Sequence, residues 1–282
     1  MPHTVVVIPC YNEERRLDVR CFQEFLETCY DVELLFVNDG STDRTLHVLE
    51  NLQWTYPNRF SVYDLPYNVG KAEAVRQGML VAFRRNPTYV GFWDADLATP
   101  LNAITQFQRV LQQRPECQLV MGSRIRLLGH FIERRRLRHI LGRLFATTAS
   151  FVLGFSVYDT QCGAKMFRVD SDTEALFKHP FHSRWIFDVE LLARMIRKRR
   201  LLGQSLTGQE IYELPLDEWR DIDGSNVKTR DFVKALGELS KIYWEYLRRA
   251  EVRPLVVESA TIEASQQKTS SNGTSQTKRK AA

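Results

Sequence analysis

The stretch YVGFWDADLATP (Tyr89–Pro100) begins with five residues that are apolar or glycine, then turns acidic. Such a run reads as a strand buried on both faces, with the carboxylates of Asp94 and Asp96 arriving at its C-terminal end. Four similar runs surround it: TVVVI (Thr4–Ile8), ELLFV (Glu33–Val37), FSVYDL (Phe60–Leu65) and QLVMGS (Gln118–Ser123). Between the runs lie segments of helical period, Arg15–Cys29, Thr42–Leu52, Lys71–Arg84 and Leu101–Gln113. Strands alternating with helices predict an α/β chain whose mostly parallel sheet is covered on both faces. Ligands of such sheets bind beyond the C-terminal ends of the strands.

Those ends are polar in succession. The first strand leads into Pro9-Cys10-Tyr11-Asn12-Glu13-Glu14, the second into Asn38-Asp39-Gly40-Ser41, and the fifth into Gly122-Ser123-Arg124. Asn68-Val69-Gly70-Lys71 follows the third. A single Asp after a strand is usually a turn or cap residue. Three acids (Asp39, Asp94, Asp96) and two bases (Lys71, Arg124) on one rim exceed what capping needs. Asp94-x-Asp96 supplies hard oxygen ligands suited to Mg²⁺ or Mn²⁺, a cation that neutralises a departing nucleoside diphosphate. An Asx-turn with a cap before Pro100 is the plainer alternative.

The chain has 282 residues, 44% hydrophobic and 26% charged, enough for a full core. Its net charge of +5 is uneven: Arg124–Arg143 holds seven arginines against one acid, Glu133. The basicity is therefore local. Five scattered cysteines without a CxxC pair argue against a disulfide framework or zinc site and for a reducing compartment. Thr4–Ile8 is too short for a signal peptide. The longest uncharged stretch, Leu144–Tyr158, falls short of the roughly 20 residues of a spanning helix.

Further along, Arg134–Leu153 reads as a basic, then apolar helix, and YDTQCGAKMF (Tyr158–Phe167) as turn-rich. A helix is expected around Phe187–Arg199, a strand at Glu210–Pro215 and an amphipathic helix over Thr229–Arg249. The Ser/Thr/Gln/Lys-rich end reads as disordered. The expected division is one domain over residues 1–250, with a nucleotide-binding half (1–125) and an acceptor- and membrane-facing half (126–250), and a tail over 251–282.

The motifs VVVIPCYNEE (Val5–Glu14), FVNDGSTDRT (Phe36–Thr45), NVGKAEAVRQGM (Asn68–Met79), DADLATP (Asp94–Pro100) and GSR (Gly122–Arg124), in this order, resemble glycosyltransferase family 2. DTQCGAKMF (Asp159–Phe167), RWIFDVELL (Arg184–Leu192) and WRDIDGS (Trp219–Ser225) look like its dolichyl-phosphate glucosyltransferase branch. The resemblance implies a GT-A fold with a Rossmann-like sheet. It also implies inverting, single-displacement transfer of a sugar, with UDP-glucose the favoured donor, onto a polyprenyl phosphate. Pro9, Tyr11, Glu13 and Asp39 would hold uridine and ribose, with Tyr11 placed to stack on the base. Asp94 and Asp96 would serve ribose and metal, with Asp96 the stronger candidate for coordination. Arg124 and Arg220 would contact phosphates, with Lys71 a further charge near the nucleotide. On the acceptor side the candidates are Gln161, Arg184, Asp188 and Glu190.

Two positions depart from the related pattern. Ala98 stands where mannosyl relatives carry a metal-side Gln, and Asn226 where relatives often have Lys, with Lys228 nearby. The implied setting is the cytoplasmic face of a membrane, met through Arg134–Leu153, because a basic segment joined to an apolar one suits an anionic surface. The alternative for that segment is ordinary core packing. No nucleic-acid partner is expected, since no aromatic-interleaved basic pattern accompanies the arginines. A soluble enzyme acting on a small phosphorylated acceptor, a GDP-mannose-dependent polyprenyl-phosphate mannosyltransferase, and a non-enzymatic basic surface-binding module all stay open. Prenyl length and oligomeric state are not fixed by the sequence.

Overall fold

The computed structural model describes residues 3–133, 136–220 and 229–248. The expected tail over 251–282, Asn226 and Lys228 lie outside them, as do Arg134 and Arg135 and the side chains of Arg136 and Arg138.

The chain runs β1 (Thr4–Cys10), α1 (Val19–Thr28), β2 (Val32–Asp39), α2 (Thr45–Thr55), β3 (Phe60–Leu65), α3 (Lys71–Phe83), β4 (Tyr89–Phe92), α4 (Ala103–Gln113) and β5 (Leu119–Ser123). There follow β6 (Phe131–Glu133), α5 (Arg136–Leu153), β7 (Lys165–Arg168), α6 (Ser171–Phe177), α7 (Phe187–Leu201), β8 (Ile211–Pro215), β9 (Glu218–Arg220) and α8 (Thr229–Ile242). A π-helical turn over Tyr243–Leu247 continues α8.

Strands β3, β2, β1, β4, β7, β5 and β8 form one sheet in that order, parallel except for β7, which runs antiparallel to both neighbours. Strands β6 and β9 form a separate parallel pair. The sheet is apolar on both sides because successive side chains alternate faces. Val5, Val7, Leu35, Val37, Val90 and Phe92 pack under α3, α5, α6 and α7, together with Val75, Ala149, Phe177 and Leu191. Val6, Ile8, Leu34 and Phe36 pack under α1, α2 and α4 with Phe22, Leu49 and Phe107. Gly78 lets α3 lie directly on the sheet, since a Cβ there would stand 2.4 Å from Val7 Cγ1.

The turn-rich expectation for YDTQCGAKMF misses β7. That strand has charged residues at both ends, a pattern unlike the uncharged runs of its neighbours β4 and β5. Both ends are satisfied internally: Arg168 donates to the carbonyls of Leu111, Arg114 and Cys117, and Lys165 to those of Thr160 and Cys162. The first strand also runs on to Cys10 and the second to Asp39, so the polar motifs begin inside the sheet.

Candidate active site

The loops that follow β1 and β2 are laced together by side chains. Asn12 N–H donates to Ser41 Oγ (3.0 Å) and Asn12 Oδ1 accepts from Thr42 N–H (2.9 Å). Glu13 N–H reaches Thr45 Oγ1 (2.8 Å), Glu14 N–H reaches Asp43 Oδ2 (3.2 Å), and Arg44 N–H returns to Glu14 Oε2 (3.2 Å). Asn12 adopts φ +53°, a left-handed conformation that Asn tolerates. The lacing leaves Tyr11 44% exposed on the rim, with Pro9 half-buried behind it. Glu13 is buried and forked by Arg16, at 2.9 Å from Nε and 2.5 Å from Nη2. Burial raises its pKa, and Arg16 opposes the rise.

Asp39 ends β2 and is buried. Its carboxylate accepts from Val69 N–H (2.7 Å) and Gly70 N–H (3.0 Å), which ties β2 to the start of α3. Burial raises its pKa against those hydrogen bonds and the charge of Arg184. Arg184 comes from the loop before α7 and lies near Val69 O at 3.5 Å. The structure thus places Arg184 beside Asp39 and Gly70, on the rim of the first half.

Lys71, the first residue of α3, reaches across to Asp94, with Nζ 2.5 Å from Oδ1. Burial works against the ammonium, and the Asp94 carboxylate more than offsets it, so the Lys71 pKa is raised. Asp96 is held differently: its Oδ1 accepts from Ala98 N–H at 3.1 Å. Burial and the charge of Asp94 raise the Asp96 pKa. Between them and Ala98, Leu97 takes φ +54°, a costly backbone for a non-glycine residue that tightens the acidic loop.

The Asp159–Gly163 loop closes under Asp94. A Cβ on Gly163 would stand 1.9 Å from Asp94 Oδ2, so only glycine leaves room for the carboxylate. Asp159 is buried against Arg124, accepting from Nε (2.6 Å), Nη2 (2.7 Å) and the Arg124 N–H (3.2 Å). Burial works against the Arg124 charge, and Asp159 more than offsets it. The guanidinium also lies 5.2 Å from the Trp219 ring. Arg124 is thus seated in a core fork, one wall below the rim. Glu213 accepts from Tyr158 N–H and Asp159 N–H, pinning the loop from β8. Gln161 N–H donates to Asp159 Oδ1 (3.2 Å), while its buried Nε2 has no hydrogen-bond partner among the described residues.

Arg220, on β9, donates its backbone N–H to Ala98 O (3.2 Å) and leaves its side chain exposed beside the acidic loop. Asp188, at the start of α7, is buried on Lys165, with Oδ1 2.6 Å from Nζ. Burial raises its pKa, opposed by Lys165 and Lys71. Glu190 faces inward as well, accepting from His182 N–H, Ser183 N–H, Arg194 and Tyr246 Oη–H. It is a structural hub.

A divalent cation fits this donor set in part. No group of three or more Asp, Glu, His or Cys that could hold a metal occurs among the described residues. Two carboxylates are offered, one crowded enough to have a raised pKa, and Ala98 adds no side-chain donor. Phosphate oxygens and water would have to complete the shell, as hard cations commonly allow.

Comparison with known proteins gives this geometry a family. The model described as glycosyl transferase family 2 matches residues 5–176. The chain belongs to that family. It is a glycosyltransferase. It is 32% identical over 249 residues to "Dolichyl-phosphate beta-glucosyltransferase ALG5A" of Trichomonas vaginalis, covering 84% of this chain and 72% of the relative. Identity to the Saccharomyces cerevisiae dolichyl-phosphate beta-glucosyltransferase is 31% over 264 residues, with 86% and 74% covered. Mycobacterium tuberculosis glucosyl-3-phosphoglycerate synthase, crystallised with Mn²⁺, UDP-glucose and phosphoglyceric acid, superposes with a TM-score of 0.62 at 19% identity, covering 86% and 80%. That likeness shows the fold, GT-A-like with its mostly parallel sheet.

Of the residues expected from sequence, this glycosyltransferase brings Asp39, Lys71, Asp94 and Asp96 onto one rim, joined by Arg184. Arg124 sits beneath, in its fork with Asp159. Sequence reasoning missed Arg16, Lys165 and Glu213. Arg16 and Glu213 carry no local signal, whereas Lys165 is a lone charge inside an otherwise apolar run.

Proposed function

We propose that the protein transfers glucose from UDP-glucose to dolichyl phosphate at the cytoplasmic face of a membrane, by a single inverting displacement. The observation that carries this reading is the meeting of Asp94 with Lys71 and Gly163 beyond the end of β4. The relatives named as dolichyl-phosphate glucosyltransferases supply the acceptor and the sugar. Tyr11 offers an exposed ring for the base, and Asp39 and Glu13 offer carboxylates for base N–H or ribose hydroxyls. Lys71 and Arg220 are the cations at the rim for the diphosphate, with Arg124 behind them. Gln161 is the candidate kept for the acceptor side.

Asp96, assisted by Asp94, would hold Mg²⁺ or Mn²⁺, which when bound stabilises the charge on the leaving diphosphate. Asp96 has one carboxylate oxygen engaged by the backbone, and its raised pKa marks a site that gains from a nearby cation. The acceptor needs no general base. A phosphate monoester has a second pKa of about 6 and is already largely dianionic at neutral pH. The chain's residues therefore have to align it and keep water out.

The membrane-facing part of the proposal rests on α5. Phe145, Ala149 and Leu153 of that helix pack into the core, while Ile140, Leu144 and Phe151 on another face are exposed, Phe151 at 88%. Leu127, Leu128 and Phe131 are exposed just before it. Core packing and a free apolar face thus coexist on one helix. No helix among the described residues is long and apolar enough to cross a membrane. Arg143 is occupied internally, donating to Tyr158 O (2.7 Å) and stacking 3.6 Å from the Tyr158 ring centroid.

The test is a panel of UDP-glucose, UDP-N-acetylglucosamine and GDP-mannose with radiolabelled sugar, dolichyl phosphate and divalent metal. Label in the lipid from UDP-glucose alone is expected. Label from GDP-mannose makes the enzyme a mannosyltransferase, and label only in phosphoglyceric acid or another soluble acceptor overturns the lipid reading.

A further inference from the structure

Below the rim lies an ion pair with no part in the contacts assigned to the donor. Lys165 opens β7 and is fully buried. Its Nζ donates to Cys162 O (2.8 Å) and Thr160 O (3.1 Å) and meets Asp188 Oδ1 at 2.6 Å. Stripping the ammonium and the carboxylate of water costs several kcal/mol per ion, and apolar residues of similar volume often serve stability as well or better. Stability alone therefore gives a weak reason for the pair.

Its geometry gives a better one. The two carbonyls belong to the loop whose next residue, Gly163, lies under the Asp94 carboxylate, where an added Cβ would stand 1.9 Å from Oδ2. The backbone at Gly163 limits how far that carboxylate can drop, and Lys71 Nζ holds it from the side at 2.5 Å. Lys165 gathers the loop, and Asp188 fastens Lys165 to the start of α7. Asp188 also acts electrostatically on both Lys71 and Asp94.

We propose that Lys165 and Asp188 form a positioning pair that sets the Thr160–Gly163 loop, and through Gly163 the orientation of Asp94 toward the donor. The proposal rests on Asp94 being a donor-site residue. It assigns Asp188 to the scaffold of the reacting groups and away from direct contact with the acceptor.

The test compares Lys165→Met, Gly163→Ala and the double variant, using UDP affinity by calorimetry, thermal melting, and kcat and KM with the acceptor that the donor panel identifies. Lys165→Met is expected to melt cooperatively, bind UDP within about threefold of the unsubstituted protein, and lose kcat on the order of 100-fold, the scale of a misplaced catalytic group. Gly163→Ala should show the same split. The double variant should fall far short of the product of the two losses, because both act on Asp94. Multiplying losses, or an unchanged kcat in folded Lys165→Met, overturn the proposal. If Lys165→Met does not fold, Asp188→Asn decides. It keeps an oxygen for the ammonium but removes the charge, so a fall in kcat of about tenfold at unchanged UDP affinity supports the pair, and no fall overturns it. Absence of UDP binding by the unsubstituted protein would overturn the donor reading as well. UDP binding together with an intact Lys165→Met kcat overturns the pair alone.

Discussion

Asp94 and Asp96 are held by different partners, and the roles proposed for them divide accordingly. Asp94 is braced by an ammonium on one side and a glycine backbone beneath, whereas the hydrogen bond that holds Asp96 among the described residues comes from the Ala98 N–H. Asp96→Ala therefore removes little from the fold. It should leave the melting temperature of the ligand-free protein within a few degrees, yet lower glucosyl transfer by a factor on the order of 100 or more. Melting curves and initial rates at saturating metal check this, and an active Asp96→Ala enzyme contradicts the metal assignment. Asp39 differs again, because it satisfies two backbone donors in a buried turn. Asp39→Ala leaves both without a side-chain acceptor and should cost about 1–3 kcal/mol in stability, read from urea unfolding, in addition to weakening UDP binding.

Among the elements, the junction of α7 with the π-helical turn is the clearest case of polar groups setting a tertiary contact. Tyr246 Oη–H donates to Glu190 at 2.8 Å, and Arg194 completes the Glu190 carboxylate at the same distance. Burial, followed by the charge of Glu190, raises the Tyr246 pKa to about 12. A phenol whose pKa is higher in the folded state keeps its proton where the unfolded chain has begun to lose it. Its stabilisation is whole below about pH 10 and is lost as pH climbs toward 12. Tyr246→Phe should destabilise by about 1–3 kcal/mol at neutral pH and show a flatter decline of stability across that alkaline window. Equal slopes for both proteins would place the titration elsewhere.

The same scale shows what the sequence could announce. Val5–Ile8, Leu34–Val37 and Tyr89–Trp93 are uncharged, mostly apolar runs that lead within a few residues to acids or amides, so strand, burial and rim position were legible together. Strand β7 was not, because its Lys165 and Arg168 find their partners in carbonyls distant in the chain or around a turn, and composition reads such residues as solvated. Asp39, Asp94, Asp96 and Lys71 could be named from motifs. The fork of Arg124 with Asp159 could not, since 35 residues separate the two and nothing local pairs them. The exposed face of α5 was half legible: its apolar content was plain, but only packing shows which side chains the core uses.

At the scale of the molecule, the exposed apolar side chains of Leu127, Leu128, Phe131, Ile140, Leu144 and Phe151 all follow β5, whereas the proposed donor rim of Asp39, Lys71, Asp94 and Asp96 comes from the chain before it, at the end of β2, at the start of α3 and after β4. The stretch after β5 also carries the excess of arginine, seven against one acid over Arg124–Arg143, of which Arg124 and Arg143 are engaged inside the protein by Asp159 and Tyr158. On the proposed membrane reading an anionic bilayer would suit both features: headgroups would take charge, and the interfacial region would take side chains that water hydrates poorly. Full burial of a Leu or Phe side chain is worth about 1.5–3 kcal/mol, so partial insertion of two residues should change partitioning by tenfold or more. Leu144→Asp combined with Phe151→Asp should therefore abolish most co-sedimentation with phosphatidylserine-containing vesicles, while transfer to a short-chain prenyl phosphate in detergent stays near its original rate. Salt should weaken vesicle binding of the unsubstituted protein, because the arginine contribution is screened within about a Debye length. If the double variant still sediments with vesicles at every salt concentration, the α5 face is not the contact and the acceptor must be met through another surface.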